Sequence, residues 1–221
     1  MIDLHTHSLF SDGDLLPAEL VRRAEDKDYR IIAITDHVDQ SNLDLVVPRL
    51  AELAESLNKF MRIKTIPGVE LTHVPPVTIA ELADRARSLG AKLVVVHGET
   101  IVEPVPPETD HHALEAGVDI LAHPGLISPE DVKLAAQRDI FLELSARRGH
   151  SLTNGHVAKL AMEMGARLVL NTDTHEPSDL ITIERALAVI RGAGLNEEQA
   201  KSVFLNSEQL AERILNGSIG K

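Results

Sequence analysis

His5 and His7 stand one residue apart in Met1-Ile-Asp-Leu-His5-Thr-His7-Ser-Leu-Phe-Ser-Asp12-Gly13, at the exit of what reads as an opening β-strand. Side chains alternate faces in extended chain, so the two imidazoles point the same way and can grip one ion with neutral ring nitrogens. Asp12 follows in a polar turn and adds a carboxylate. Such a pair alone is as compatible with a solvated strand edge as with a metal site; the stronger signal is recurrence. Asp36 and His37 end the run 31–35, Glu70 follows 63–69, His97 follows 93–96, His123 follows 120–122, and Asp173 and His175 follow 167–172. Six of seven expected strand exits thus carry an imidazole or carboxylate, a distribution that chance does not supply.

The elements that must position these groups are legible as an alternation. Residues 16–25 place Pro17 in the first turn of a helix, where its missing N–H costs nothing, with Leu20, Val21 and Ala24 on one face. The run 31–35 is continuously apolar, as expected of a parallel strand buried on both faces. Residues 48–60 carry the i, i+3, i+4, i+7 stripe Leu50, Leu53, Ala54 and Leu57. A third strand, 63–69, contains Pro67 and Gly68, marking a closely approached end just before Glu70.

Helix 79–89 stops at Gly90, strand 93–96 follows, and the proline-rich segment 99–107 reads as a long loop on the active face. A short helix is expected at 110–116, a strand at 120–122, and a helix start at Ser128-Pro-Glu-Asp131, with a capping serine and acids in the first turn. Strand 140–144 carries Glu143, expected to accept backbone donors near the strand exit, and leads into the basic loop Arg147-Arg148-Gly149-His150. Helix 154–164, strand 167–172 and helices 181–191, 197–204 and 208–215 complete the chain.

Seven strands alternating with helices imply a parallel sheet with right-handed crossovers, and donors at nearly every exit imply that the sheet is rolled so that the exits converge. The expected fold is an α/β, TIM-like barrel of about seven β/α units, one fewer than the usual eight, with residues 1–221 as one domain and the site at the C-terminal ends of the strands.

Composition narrows the chemistry. There is no cysteine, which excludes disulfides, thiolate ligands and a thiol nucleophile, so any metal is held by His, Asp and Glu, a set that suits Zn, Mn or Fe. The 22 Lys and Arg against 34 Asp and Glu give a formal charge of -12, and aromatic residues are 2% of the chain. Both count against long nucleic acid as a partner, and the charge counts against an anionic membrane. No basic leader and no membrane-length apolar run is visible, which makes the cytoplasm the expected compartment.

As a set, His5-Thr-His7 with Ser11-Asp12-Gly13, Thr35-Asp36-His37, Gly68-Val-Glu70, His97, His123-Pro124 and Asp173-Thr-His175 resemble the motifs of the PHP (polymerase and histidinol phosphatase) superfamily, in that family's order and over essentially the whole chain. The resemblance implies a distorted (β/α)7 TIM-like barrel with a trinuclear metal centre. One ion would take His5, His7, Glu70 and Asp173; a second Glu70, His97 and His123; a third Asp12, His37 and His175, with Glu70 bridging two. Two departures stand out: Asn206-Ser207 replaces the Asn-Pro of many relatives at an expected helix start, and the chain lacks loops of the longer histidinol phosphatases, which leaves the substrate open.

Ions a few Å apart share a water, lower its pKa to near neutrality and present hydroxide to an electrophile, while their charges neutralise phosphate oxygens. The expected activity is therefore hydrolysis of a small soluble phosphate ester, histidinol phosphate-like or nucleotide-like. Glu70 and Asp173 are expected in catalysis as ligands, Arg147 or Arg148 as a phosphate clamp, and His150 or a water as proton donor to the leaving group. Asp36 is expected to orient a ligand histidine, and His73, His111, His112 and His156 to be solvated or capping residues. The rivals are a phosphodiesterase or exonuclease, a metal-binding regulatory module without turnover, and an amidohydrolase, for which no bridging lysine is visible.

Overall fold

Apolar runs and amphipathic stripes become parallel strands and crossover helices in a computed structural model, which describes residues 1–217. In order these are β1 (Ile2–Asp3), α1 (Pro17–Asp26), β2 (Ile31–Ile34), β3 (His37–Val38), α2 (Leu43–Phe60), β4 (Lys64–Leu71), α3 (Ile79–Leu89), β5 (Leu93–His97) and α4 (Thr109–Ala116). There follow β6 (Ile120–Ala122), α5 (Pro129–Arg138), β7 (Phe141–Ser145), α6 (Asn154–Met164), β8 (Arg167–Asn171), α7 (Ile183–Gly192) and α8 (Glu197–Leu215). The strands pair in parallel in the order β1-β2-β4-β5-β6-β7-β8, and β3 adds a two-residue pairing on β4 beside that path. This is the expected distorted seven-stranded barrel.

Closure between β1 and β8 is a seam rather than a ladder. It consists of an isolated bridge between Thr6 and Thr174, the His7 N–H donating to Thr174 O at 2.8 Å, the Asp173 N–H to His5 O at 3.0 Å, and the Leu4 N–H to Asn171 Oδ1 at 2.9 Å. A side chain extends it, Thr172 Oγ1 donating to the buried Asp3 at 2.5 Å, while on the other flank Thr6 Oγ1 donates to Ala33 O of β2 at 2.6 Å.

Strand alternation creates two cores from runs that look uniformly apolar. Ile66, Leu93, Val95, Phe141 and Val169 belong to a cluster inside the barrel, closed below by Leu210, Ala211 and Ile214 of α8. Their neighbours Val69, Leu71, Val94, Val96, Leu142 and Leu168 pack outward against the helices. The inward parity of β4, β5 and β7 continues to Glu70, His97 and Glu143, so the period of two that fills the barrel also delivers these groups to its axis. Gly68 is required in β4, because a Cβ there would lie 2.8 Å from Thr35 Cγ2 and 3.1 Å from Leu93 O.

Three elements differ from expectation. α2 starts at Leu43, five residues before Pro48, because Leu43, Val46 and Val47 are buried and outweigh the proline inside the helix. The two expected terminal helices are one, α8: Ser207 keeps the backbone N–H that a proline would remove, and its hydroxyl donates to Val203 O at 3.3 Å, so Asn206-Ser207 is mid-helix and not a start. β4 runs through Glu70 to Leu71, which puts Glu70 in register between His37 and Val95 rather than beyond the strand. Ser128 caps α5 as expected, accepting the Asp131 N–H at 3.1 Å. Among the described residues no helix is long and apolar enough to cross a membrane.

Candidate metal centre

Glu70 is the hub of the site. It is fully buried, and its Oε2 lies 3.4 Å from His5 Nε2, 3.5 Å from His7 Nε2 and 2.7 Å from His37 Nδ1, while Oε1 lies 3.1 Å from His97 Nδ1 and 3.6 Å from His123 Nε2. Asp173 faces it across the barrel mouth, 3.3 Å from His7 Nε2, 3.8 Å from His5 Nε2 and 3.7 Å from His123 Nε2. Two of these donors reach the cavity through left-handed backbone, His123 at φ 29° and Asp173 at φ 53°. Non-glycine residues hold such angles only where the surroundings impose them.

On the exposed side, Asp12 Oδ1 lies 3.1 Å from His175 Nε2 and 3.5 Å from His37 Nε2. His7, Asp12, His37 and His175 all offer donor atoms within 4.8 Å of one another, as do His5, His7 and Glu70; His5, His123 and Asp173; and His37, Glu70 and His97. The nine donors expected from the motifs therefore converge. His7 stands nearer the third group than expected, and His123 joins His5 and Asp173 as well as Glu70.

The polar atoms here are short of partners. His5 Nε2, both nitrogens of His7, Glu70 Oε2, His97 Nε2 and His123 Nδ1 are buried without a hydrogen bond. A buried donor or acceptor left unmade costs about 1–3 kcal/mol, so six in one cluster mark a demand the protein's own groups leave unmet. Imidazole nitrogens and carboxylate oxygens, with no sulfur, fit hard or borderline divalent cations.

The electrostatics agree. Burial, helped by His37, lowers His7 to about 3, and burial lowers His123, so both rings are neutral ligands in waiting. Burial opposes protonation of His5 and His97, but Glu143, Glu70 and Asp173 outweigh it and raise His5, and Glu70 and Glu103 raise His97 to about 10. Against their own burial, Glu70 and Asp173 are held ionised by His5 and the other facing imidazoles. Protons on His5 and His97 supply positive charge that bound cations would replace.

The supporting residues partly depart from expectation. Asp36 touches no histidine; it accepts the Ser8 N–H, Ser8 Oγ and Ser11 Oγ, each at 2.7 Å, and so shapes the turn that carries Asp12. Gly13 completes that turn, since a Cβ there would lie 2.4 Å from His7 O. Glu143 takes no backbone donor; it accepts from His5 Nδ1 at 2.8 Å and Asn171 Nδ2 at 2.9 Å, which aims His5 Nε2 at the cavity. Arg147 lines the cavity, donating from Nη1 to Asp173 O at 3.1 Å beside His175 Nδ1 at 2.6 Å. Arg148 is exposed and is not among the lining residues.

His150 is buried and stacked on His123 with ring centroids 4.1 Å apart, its Nδ1 2.8 Å from Thr100 Oγ1 and its Nε2 3.9 Å from Asp173 Oδ2. Sequence reasoning missed Glu103, which reaches into the mouth from the 99–107 loop. It also left His73 as a bystander, although its Nε2 lies 3.4 Å from Glu103. His111 pairs with Asp131 and His156 with Ile127 O, away from the cavity, and His112 is half-buried outside it. The cavity, about 480 Å³, opens between Asp39, Asn42, Thr72, His73, Glu103 and Arg147.

Comparison with known proteins places this arrangement. The PHP domain model matches residues 3–122, and the chain belongs to the PHP domain family; it is a metal-dependent hydrolase. An uncharacterized protein of Methanocaldococcus jannaschii is 49% identical over 215 residues, covering 96% of this chain and 99% of that one. A probable phosphatase of Thermoanaerobacter sp. strain X514 is 29% identical over 223 residues, covering 90% and 88%. A candidate histidinol phosphatase structure from Listeria monocytogenes superposes with TM-score 0.59 at 13% identity, over 81% of this chain and 97% of that one, which speaks for the fold.

Proposed function

We propose that the protein is a phosphomonoesterase that uses three divalent cations, Zn, Mn or Fe, to hydrolyse a small soluble phosphate ester. The observation that carries this reading is the convergence of buried, unpartnered imidazole and carboxylate atoms in one cluster at the barrel mouth. The name of the Thermoanaerobacter relative supports the phosphate class. In this reading His5, His7, Glu70 and Asp173 hold one cation, Glu70, His97 and His123 a second, and Asp12, His37 and His175 a third. Cations so held lower the pKa of water and neutralise phosphate oxygens.

The chain's own residues supply the rest. Glu70 presents its two oxygens to two different sets of histidines and so spaces the first two positions. Glu143 fixes the ring of His5, and Asp36 fixes the turn of Asp12. Arg147 offers a planar cation beside Asp173 and His175 for a phosphate oxygen. His150 Nε2 faces the cavity between Glu103 and Asp173 and is placed to give its proton to the departing alkoxide.

The test is turnover with Mn or Zn present. Hydrolysis of p-nitrophenyl phosphate but not bis(p-nitrophenyl) phosphate supports the reading. The reverse preference makes the protein a phosphodiesterase, and tight metal binding with no turnover across a phosphoester panel makes it a regulatory module.

A further inference from the structure

Outside the donor set, the cavity mouth is unusually poor in fixed positive charge for a site that takes a phosphate. Arg147 is the only Lys or Arg among the lining residues, and its contacts to Asp173 O, His175 and, at 3.9 Å, Asp179 all fall on Nη1, so a single guanidinium is the fixed positive charge offered there. Two carboxylates stand at the opening. Asp39 is anchored by the Ser41 N–H at 2.7 Å and Ser41 Oγ at 2.6 Å. Glu103 lines the same cavity, on the loop after β5.

Glu103 is not a stray surface acid. Three imidazoles from different elements close on it: His97 Nε2 at 3.1 Å from Oε2, His73 Nε2 at 3.4 Å from Oε2, and His150 Nε2 at 3.5 Å from Oε1. His97 and His150 are buried, and Thr100 Oγ1, three residues before Glu103, ties the same loop to His150 Nδ1 at 2.8 Å. His73 holds its place through left-handed backbone at φ 53°. The carboxylate is thereby kept where a leaving group must pass between the donor cluster and solvent.

We propose that Glu103 is a specificity-determining residue: held over the mouth by His73 and His150, it excludes esters whose leaving group carries a second phosphate and favours monophosphates with a neutral or cationic leaving group. This rests on the phosphomonoesterase reading and sharpens it to a substrate class. Like charges brought together at the mouth repel, and because Glu103 is solvent-accessible the repulsion weakens as salt is added. Asp39 adds to the same field. Bisphosphates and oligonucleotides, whose next phosphate follows within a few bonds, are disfavoured by the same two carboxylates.

The experiment uses three substrates of one length, 3-hydroxypropyl phosphate, 3-aminopropyl phosphate and propane-1,3-diol bisphosphate, with the metal-loaded full chain. The expected wild-type kcat/KM is at least about tenfold lower for the bisphosphate than for the other two, carried mainly by KM. Glu103→Gln narrows that gap and Glu103→Lys inverts it, with metal content by elemental analysis and thermal midpoint unchanged. A wild-type enzyme that turns over the bisphosphate as well as the alcohol overturns the proposal. So does Glu103→Lys slowing all three equally, or Glu103→Gln losing a cation, which would make Glu103 a ligand. Failure to hydrolyse any of the three removes the phosphomonoesterase reading itself and the proposal with it.

Discussion

The two ends of the barrel are made by the same strands and have opposite energetics. At the floor, Phe141 is fully buried among Ile66, Val169 and Leu210, and the cations nearest it are satisfied: Arg167 lies 4.3 Å above the ring, and Arg167 and Arg213 bond the two oxygens of Asp139 at 2.8 and 2.9 Å. At the rim, a few residues further along, imidazoles and acids are buried with atoms unmatched. A sequence selected only for stability would make both ends like the floor. The contrast separates residues that hold the fold from residues that wait for a ligand.

Glu70→Gln gives the widest separation. It is expected to lower kcat/KM by about 10³-fold or more, since the carboxylate shared by two of the donor groups loses its charge, while the chelated protein's thermal midpoint moves little. A variant with near-normal turnover would dissolve the distinction between the ends. Phe141→Ala is the converse: about 3–5 kcal/mol of stability lost in denaturant titration, with activity per folded molecule within severalfold of wild type.

Metal binding itself should be acid-sensitive. His5 and His97 have raised pKa values, so at neutral pH they carry protons that a cation must displace, and affinity is lost as pH falls. Calorimetry in buffers of different ionisation enthalpy should show proton release and about a tenfold change in affinity per pH unit for each proton displaced. Binding that ignores pH would take both residues out of the ligand set. The smallest effect is expected at Ser128→Ala, outside the donor set: about 1 kcal/mol from loss of the cap on α5, with kcat unchanged.

The barrel and its donors were legible because both follow the strand period. A run such as 93–96 ending in His97 states its strand and its donor together. What was illegible had a competing local signal or none. Pro48 advertised a helix start, and only the burial of Leu43, Val46 and Val47 moves α2 earlier. Glu143 looked structural because its partner, His5, is 138 residues away in sequence. Glu103 stands in a proline-rich loop with no periodicity, so its meeting with three histidines is a tertiary fact. Asp36 sits beside a motif histidine yet serves Ser8 and Ser11, a reminder that adjacency in sequence is not contact.

The seam between β1 and β8 gives the metal ligands a second task. His5 and His7 lie on one lip of this interrupted closure and Asp173 and His175 on the other, joined by one isolated bridge and a few hydrogen bonds. Cations gripped from both lips would act as rivets across the weakest join in the wall. Hydrogen exchange at Leu4, His7 and Asp173 is then expected to slow on loading while α7 is unaffected, so that the hydrolase arms its chemistry and fastens its own barrel in one event.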